Sequence, residues 1–356
     1  MKKTYLVTGG AGFIGSNFIY YMLKKHSDIL LVNLDKLTYA GNLENLKGVE
    51  GDTRHIFVQG DICDCTLIRN LFEQYDFDYV INFAAESHVD RSIACPEIFV
   101  QTNVLGTVNL LQRTKEAWYN QETKSWKADK KYIQISTDEV CGALGKEGLF
   151  TETTPLSPHS PYSSSKASAD MFVMAFHDTY NMPVNITRCS NNYGPYQFPE
   201  KLIPLIINNA RHHSQLPVYG DGMQVRDWLY VEDHCKAIDM VTSSGKVGEV
   251  YNIGGHNERE NIFIVKTIIG QLHDRLQDAG ISEDLIKHVE DRLGHDRRYA
   301  IDPEKIKRDL GWYPETCFEK GIVLTIDWYL ENQEWLDHVT CGEYQQYYKK
   351  MYKNRR

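Results

Sequence analysis

No stretch of this chain stays apolar for the roughly 18 residues that a membrane helix needs, and no two cysteine pairs stand at a zinc-site spacing. The eight cysteines, at 63, 65, 95, 141, 189, 235, 317 and 341, are scattered, and Cys63 and Cys65 are too close together and lack a matching histidine partner. No metal site is expected. The thiols read as reduced, as in a cytoplasmic protein; an even number leaves a disulfide framework as the alternative, but a chain of this size rarely needs one. Basic excess is missing too. A net charge of −9 argues against nucleic-acid or membrane-surface binding, so any acidic ligand must be met by a local basic pocket. Met1-Lys2-Lys3-Thr4 leads straight into a strand, without the apolar segment of a signal peptide. Disorder is excluded by 42% hydrophobic residues with Gly and Pro dispersed, and 356 residues suffice for two domains or one with a large extension.

What is present begins with a short apolar strand, Thr4 to Thr8. It is followed by Gly9-Gly10-Ala11-Gly12-Phe13-Ile14-Gly15, an amphipathic helix expected over Ser16–Lys25, and a second strand, Ile29–Leu34, ending in Asp35. Glycines at 9, 12 and 15 permit a tight turn, close approach to a pyrophosphate at a helix N-terminus, and close helix-to-strand packing. Asp35 is placed to accept hydrogen bonds from an adenosine ribose and to repel a 2′-phosphate. This favours NAD, with Lys36 leaving a small opening for NADP. The spacing is GxxGxxG, and a glycine-rich turn in any α/β protein is the plain alternative; strand, glycines, helix, strand and acid in register argue against it.

The alternation continues with a strand over 55–59, where Asp61 follows within reach of an adenine amino group, a helix over 64–75 and a strand over 78–85. Small Ala84 and Ala85 suit packing under a cofactor, and the polar loop 86–92 falls where strand ends in an open sheet meet ligand. A long helix is expected over 96–118, in which Asn103 is either a benign polar residue or a support for a lysine through water. Residues 119–130 read as an exposed connection. The pattern predicts an α/β fold, with a Rossmann-type doubly wound parallel sheet over residues 1–190 and a later return near 229–257. Residues 191–356 form a smaller mixed α/β substrate-binding domain, whose 319–352 segment is helical with a solvated basic end.

Residues 131–166 carry the chemistry. A buried strand ends at Ser136, and Thr137-Asp138-Glu139 follows; Tyr162-x-x-x-Lys166 lies one turn apart on a helix expected to start near Ser160. Lys166 is expected to lower the Tyr162 phenol pKa and make it a base toward a sugar hydroxyl. Two adjacent carboxylates repel, and differing surroundings can divide them into acid and base. Capping of the loop by Asp138 and Glu139 is the plainer reading of that pair. Lys201, Arg226 and Arg292 are candidate pyrophosphate partners, although each alone is more often a surface cation.

The stretches 8–15, Asp35 to Asn42, Ala84 to Asp90, Ser136 to Val140, Tyr162 to Lys166, Arg188 to Pro195 and Gly294 to Tyr299 resemble the dTDP-glucose 4,6-dehydratase family of extended short-chain dehydrogenase/reductases. One departure is Cys141, where that family usually has Tyr. The resemblance implies that Tyr162 deprotonates the glucose 4-hydroxyl as hydride leaves C4 for NAD, with Lys166 beside it and Thr137 bonding the ketone. Glu139 then removes the C5 proton, and Asp138 protonates the departing 6-hydroxyl before hydride returns to C6. It implies NAD contacts from Gly9, Gly12, Phe13, Ile14, Gly15, Asp35, Lys36, Leu37, Thr38, Asp61, Ile62, Ala84, Ala85, Ser87, Thr102, Tyr162, Lys166 and Asn192. It implies nucleotide-sugar contacts from Ser87, Thr137, Asn191, Glu200, Lys201, Leu202, Pro217, Tyr219, Arg226, Asn261, Arg292 and His295, and a homodimer built on cofactor-domain helices. A dehydratase of another nucleotide sugar and a UDP-sugar 4-epimerase are the enzymatic alternatives; a catalytically idle NAD-binding protein is the alternative of another class.

Overall fold

Residues 2–341 are described by the computed structural model. Its centre is a seven-stranded sheet, and every strand pair in it is parallel. In chain order the first strands are β1 (Lys3–Thr8), β2 (Ile29–Asp35), β3 (His55–Gln59) and β4 (Tyr79–Asn82). A two-stranded ribbon follows, β5 (Tyr119–Asn120) and β6 (Ser125–Trp126), and then β7 (Lys131–Thr137) and β8 (Val184–Cys189). After these come β9 (Asn191–Tyr193), β10 (Leu216–Tyr219), β11 (Val225–Tyr230), β12 (Val250–Ile253), β13 (Glu258–Glu260) and β14 (Ile286–Val289). The large sheet runs β12-β8-β7-β4-β1-β2-β3. Chain order reverses between β1 and β4, so a crevice opens at their C-terminal ends, where an open parallel sheet takes its ligand.

These strands are apolar on both faces because helices cover both. Val7, Leu31, Ile81 and Ile133 pack with Phe18, Ile19, Ile238 and Val241, whereas their neighbours Leu6, Val32, Val80 and Tyr132 pack with Leu110, Leu111 and Val173. Successive side chains of a strand point to opposite faces, so one apolar run feeds two cores. The chain returns to this sheet late. Helix Val231–Ser244 packs on helix Phe13–Lys25, and β12 pairs with β8 at the sheet edge.

Several local expectations shift. The first helix starts at Phe13 rather than Ser16, because Gly12 is already extended and acts as its N-cap. The helical run over 96–118 is interrupted by a π-helical turn, Val100–Gly106. Residues 119–130 hold the β5–β6 ribbon rather than a bare connection. Helix Pro161–Tyr180 starts at a reciprocal capping box in which Ser160 and Ser163 bond each other's backbone N–H, with Pro161 at the first position. Such a cap contributes about 1 kcal/mol and fixes where the first turn lies.

The second lobe has a sheet of β13-β11-β9 and a pair, β10 and β14. Its core joins Ile203, Ile206, Trp228, Ile264, Ile268, Phe318, Ile322 and Tyr329. Helices Phe318–Glu331 and Gln333–Val339 fill most of the expected 319–352 helical segment, whose basic end lies outside the described residues.

Candidate active site

The glycine loop between β1 and the first helix is shaped by contact. Gly9 has φ +72°, and a Cβ there would lie 2.6 Å from the Ala84 nitrogen. At Gly15 a Cβ would lie 2.3 Å from the Gly9 carbonyl oxygen. Gly12 is different, since its Cβ would meet only the Gly9 oxygen, at 3.3 Å. No side chain caps the helix there, so its first N–H groups are left to the cavity that Gly12, Phe13, Ile14 and Gly15 line. Uncapped N–H groups at a helix start suit an anion such as a pyrophosphate.

Asp35, at the end of β2, accepts from Ala11 N (2.9 Å) and Leu37 N (2.8 Å), and burial pushes its pKa up. Leu37 takes a left-handed φ of 56° to reach it. Lys36 stands 2.7 Å from Asp61 and draws that carboxyl below its usual range, so the cation beside Asp35 is already matched by a carboxylate. These features fit a dinucleotide without a 2′-phosphate.

Farther along the crevice, every residue of β7 is buried, and the strand passes into a short 3₁₀ turn, Asp138–Cys141. Thr137 caps that turn, accepting from Glu139 N at 3.3 Å and donating to Asp138 Oδ1 at 3.2 Å. Asp138 is 2% exposed, and its Oδ2 has no hydrogen-bond partner among the described residues. Burial, Glu139 and Asp227 together push its pKa up to about 8, so it holds its proton at neutral pH. Burial also raises Glu139, but Lys201, Arg226 and Arg292 pull it back toward the anion.

Tyr162 and Lys166 are buried on one face of the helix that begins at Pro161. The Lys166 ammonium donates to the Ile135 carbonyl at 2.6 Å, and burial weakens its hold on its proton. The Tyr162 phenol is pushed well above its usual pKa by burial and by Glu139, Cys189 and Asp138, with Thr137 opposing. This corrects the expectation that Lys166 lowers it: loss of solvent and two neighbouring carboxyls outweigh a lysine turned to a backbone carbonyl. Asn103 supports the lysine less directly than expected. Its amide donates to Glu86 O and Ser165 Oγ, and its oxygen accepts from Glu86 N, so it ties the segment after β4 to the Tyr162 helix; that segment is a loop only to His88, since helix Val89–Ala94 follows.

Above this floor stands a group of second-lobe cations. Lys201 Nζ donates to the Ser87 carbonyl at 3.1 Å. Arg292 grips Asp90 through Nε (3.1 Å) and Nη2 (2.8 Å), and Tyr219 donates to the same carboxylate at 3.3 Å. Arg226 lies over the Tyr299 ring at 4.3 Å and donates to the Asp296 carbonyl at 2.9 Å. His295 meets Asp291 at 2.6 Å. Glu200 is buried beside Arg91 and Lys201, which oppose the rise that burial gives its pKa.

A family model described as GDP-mannose 4,6 dehydratase matches residues 6–325. The dTDP-glucose 4,6-dehydratase of Xanthomonas campestris pv. campestris is 55% identical over 344 residues, covering 96% of this chain and 97% of that protein. The chain belongs to the dTDP-glucose 4,6-dehydratase family. Two crystal structures of dTDP-glucose 4,6-dehydratases share its fold. That from Bacillus anthracis, in complex with NAD, superposes with a TM-score of 0.84 at 49% identity, over 95% of this chain and 99% of that one. DesIV from Streptomyces venezuelae, with NAD and TYD bound, gives 0.86 at 44% identity, over 94% and 99%.

One cavity gathers most of the residues singled out from the sequence of this dehydratase-family chain. Its walls include Gly9, Gly12, Phe13, Ile14, Gly15, Asp35, Lys36, Thr38, Asp61, Ile62, Ala84, Ala85, Ser87 and Thr102. Thr137, Asp138, Glu139, Tyr162, Lys166, Asn191, Asn192, Glu200 and Lys201 complete the set. Leu37, Leu202, Pro217, Tyr219, Arg226, Asn261, Arg292 and His295 do not line it. Leu37 gives Asp35 its backbone N–H instead, Leu202 opens helix Leu202–Arg211 and packs on the second-lobe core, and Pro217 lies in β10. Asn261 opens helix Asn261–Leu276, where its Oδ1 is buried without a partner among the described residues. Arg226 and Arg292 act on Glu139 through charge.

The sequence reading missed Cys189, Ser190, Gln197 and Phe198, which also line the cavity. Cys189 ends β8 and Ser190 follows it, both inside the Arg188 to Pro195 stretch, and the only signal for Gln197 and Phe198 was nearness to that stretch. Cys141 packs with Phe150, Ala167 and Ile301, and burial pushes its thiol up to about 11, so at this departure from the family pattern it is a filler rather than a nucleophile.

Proposed function

We propose that this chain dehydrates dTDP-glucose to dTDP-4-keto-6-deoxyglucose, with NAD as cofactor. The observation that carries the reading is the unequal surroundings of the pair beside Tyr162: Asp138 buried against Glu139 and Asp227, Glu139 half-buried and facing three cations. NAD, held by the glycine loop, Asp35 and the Ala84–Ala85 segment, supplies a hydride acceptor at C4 and a hydride source at C6. Tyr162 takes the 4-hydroxyl proton as the phenolate, a form that burial makes scarce, and Thr137 hydrogen-bonds the ketone. The ketone acidifies C5–H, Glu139 removes that proton, and Asp138 gives its own to the 6-hydroxyl, which leaves as water; a proton returns to C5 as C6 takes its hydride. A 4-epimerase has no use for this pair. The dTDP preference follows the naming of the relatives.

The cofactor belongs mainly to residues 1–190 with the return near 229–257, and the nucleotide sugar mainly to residues 191–356. Lys201, Arg226 and Arg292 supply positive charge to its diphosphate within an acidic protein. A homodimer is part of the proposal. Val100 and Leu105, and Met171 and Phe172 on the adjacent Tyr162 helix, are apolar yet exposed on neighbouring helical faces. Eight free thiols suit the cytoplasm, and no helix among the described residues is long and apolar enough to cross a membrane.

The test is dTDP-glucose deuterated at C4. The expected product is a 4-keto sugar carrying the label at C6; an intact epimer, or label lost to solvent, overturns the proposal. Parallel assays with UDP-, CDP- and GDP-glucose check the nucleotide, and a faster turnover of any of them removes the dTDP assignment.

A further inference from the structure

The glycine loop is held from behind as well as from the sheet. Ala11 lies at its bend, fully buried. Its N–H donates to Asp35 Oδ2 at 2.9 Å, and its carbonyl accepts from Asn42 N (3.0 Å) and from Asn45 Nδ2 (2.8 Å). Asn45 in turn accepts, through Oδ1, from the indole N–H of Trp335 at 2.8 Å. The orientation of that amide is dictated by its partners, since an indole can only donate and a carbonyl can only accept. Trp335 belongs to helix Gln333–Val339, the last described helix of the second lobe and about 290 residues away from Asn45 in the chain.

The link does not stand alone. Tyr196 stacks on Tyr20 of the first helix with ring centroids 5.6 Å apart and meets Trp335 edge-on at 6.0 Å. Asn17 of the same helix donates to the Pro195 carbonyl at 2.9 Å. The second lobe therefore grips the first helix and its loop on the side away from the cavity.

We infer that Trp335, acting through Asn45 and the Ala11 carbonyl, is a positioning residue that keeps the glycine loop in its dinucleotide-binding shape and so slows release of NAD. With Ala11 anchored through both its N–H and its carbonyl, the N–H groups of the next residues stay directed to the cavity without a search among loop conformers, and the bound dinucleotide loses less freedom. Binding and the Trp335 contact are then coupled in both directions. The inference rests on NAD being the cofactor, and wild-type NAD binding checks that premise separately.

Trp335→Phe keeps the ring and deletes the N–H. It is expected to speed NAD dissociation about tenfold, equivalent to about 1.4 kcal/mol, measured by following release of bound NAD after dilution. Asn45→Asp keeps the acceptor for the indole but faces the Ala11 carbonyl with a carboxylate; it is expected to speed release at least as much, and the double variant to be no worse than Asn45→Asp alone. A merely structural role would lower the melting temperature and leave the release rate unchanged, which overturns the inference, as does full additivity of the two effects. Hydrogen exchange on the unaltered protein needs no variant: adding NAD should slow exchange in 333–339 as well as in 9–15. Unchanged exchange in 333–339, with 9–15 protected, overturns the inference while leaving NAD binding intact.

Discussion

Asp138, buried, and Glu139, half-buried, are adjacent in the chain, yet they face different charges. Asp138 has Glu139 and Asp227 against it, while Glu139 has Lys201, Arg226 and Arg292 in its favour. The folded pKa of Asp138, about 8, lies above its ordinary 3.8, so the stability tied to its proton is complete below 3.8 and is lost as the pH rises through about 8. Asp138→Asn removes this dependence. Its melting temperature should fall less than that of the parent protein between pH 6 and 9, a difference amounting to a few kcal/mol; parallel falls refute the assignment. The same variant should slow dehydration by about 10²- to 10⁴-fold through loss of the acid. Glu139→Gln should block exchange of the C5 proton with solvent while C4 oxidation persists, visible as reduced-nicotinamide absorbance. Normal exchange in that variant removes Glu139 as the base. Neighbouring carboxyls were legible as an acid/base pair because repulsion at that spacing is unavoidable. Which one keeps the proton came only from the family resemblance and not from the spacing, since the deciding charges come from positions 201, 226, 227 and 292.

Elements with local causes followed their sequence. The Ser160–Ser163 cap and Pro161 start a helix where these residues stand, and the apolar runs of the main sheet are strands buried on both faces. The π-helical turn at Val100–Gly106 had no such cause. Within it Asn103 reaches across to the backbone of Glu86 and to Ser165, partners set by tertiary packing. Glycines separate in the same way. Gly15→Ala puts a methyl against the Gly9 backbone oxygen and should abolish NAD binding measured by calorimetry. Gly270→Ala, inside helix Asn261–Leu276 with nothing within 4 Å of the new Cβ, should stabilise by about 1 kcal/mol and raise the melting temperature by about 2 °C. Retained NAD affinity in the first variant, or a lower melting temperature in the second, contradicts these contacts.

At the scale of the whole molecule, the exposed apolar residues of the two adjacent helical runs argue for assembly. Leu105 is 58% exposed and Met171 55%. On the proposed homodimer, the double variant Leu105→Arg, Met171→Glu should move the light-scattering mass from dimer to monomer; a dimer that survives places the interface elsewhere. By itself the sequence determined the parallel α/β order, the glycine loop, the acid after β2, the Thr-Asp-Glu turn and the Tyr/Lys helix face, because each depends on spacing within a few turns or strand lengths. Only the tertiary structure decided that burial, Glu139, Cys189 and Asp138 raise the Tyr162 phenol with Thr137 opposing while Lys166 turns to the Ile135 carbonyl, that Arg292 grips Asp90, and that Trp335 reaches the glycine loop through Asn45. Those outcomes depend on charges and hydrogen-bond partners that are far apart in the chain and meet only when the two lobes pack together.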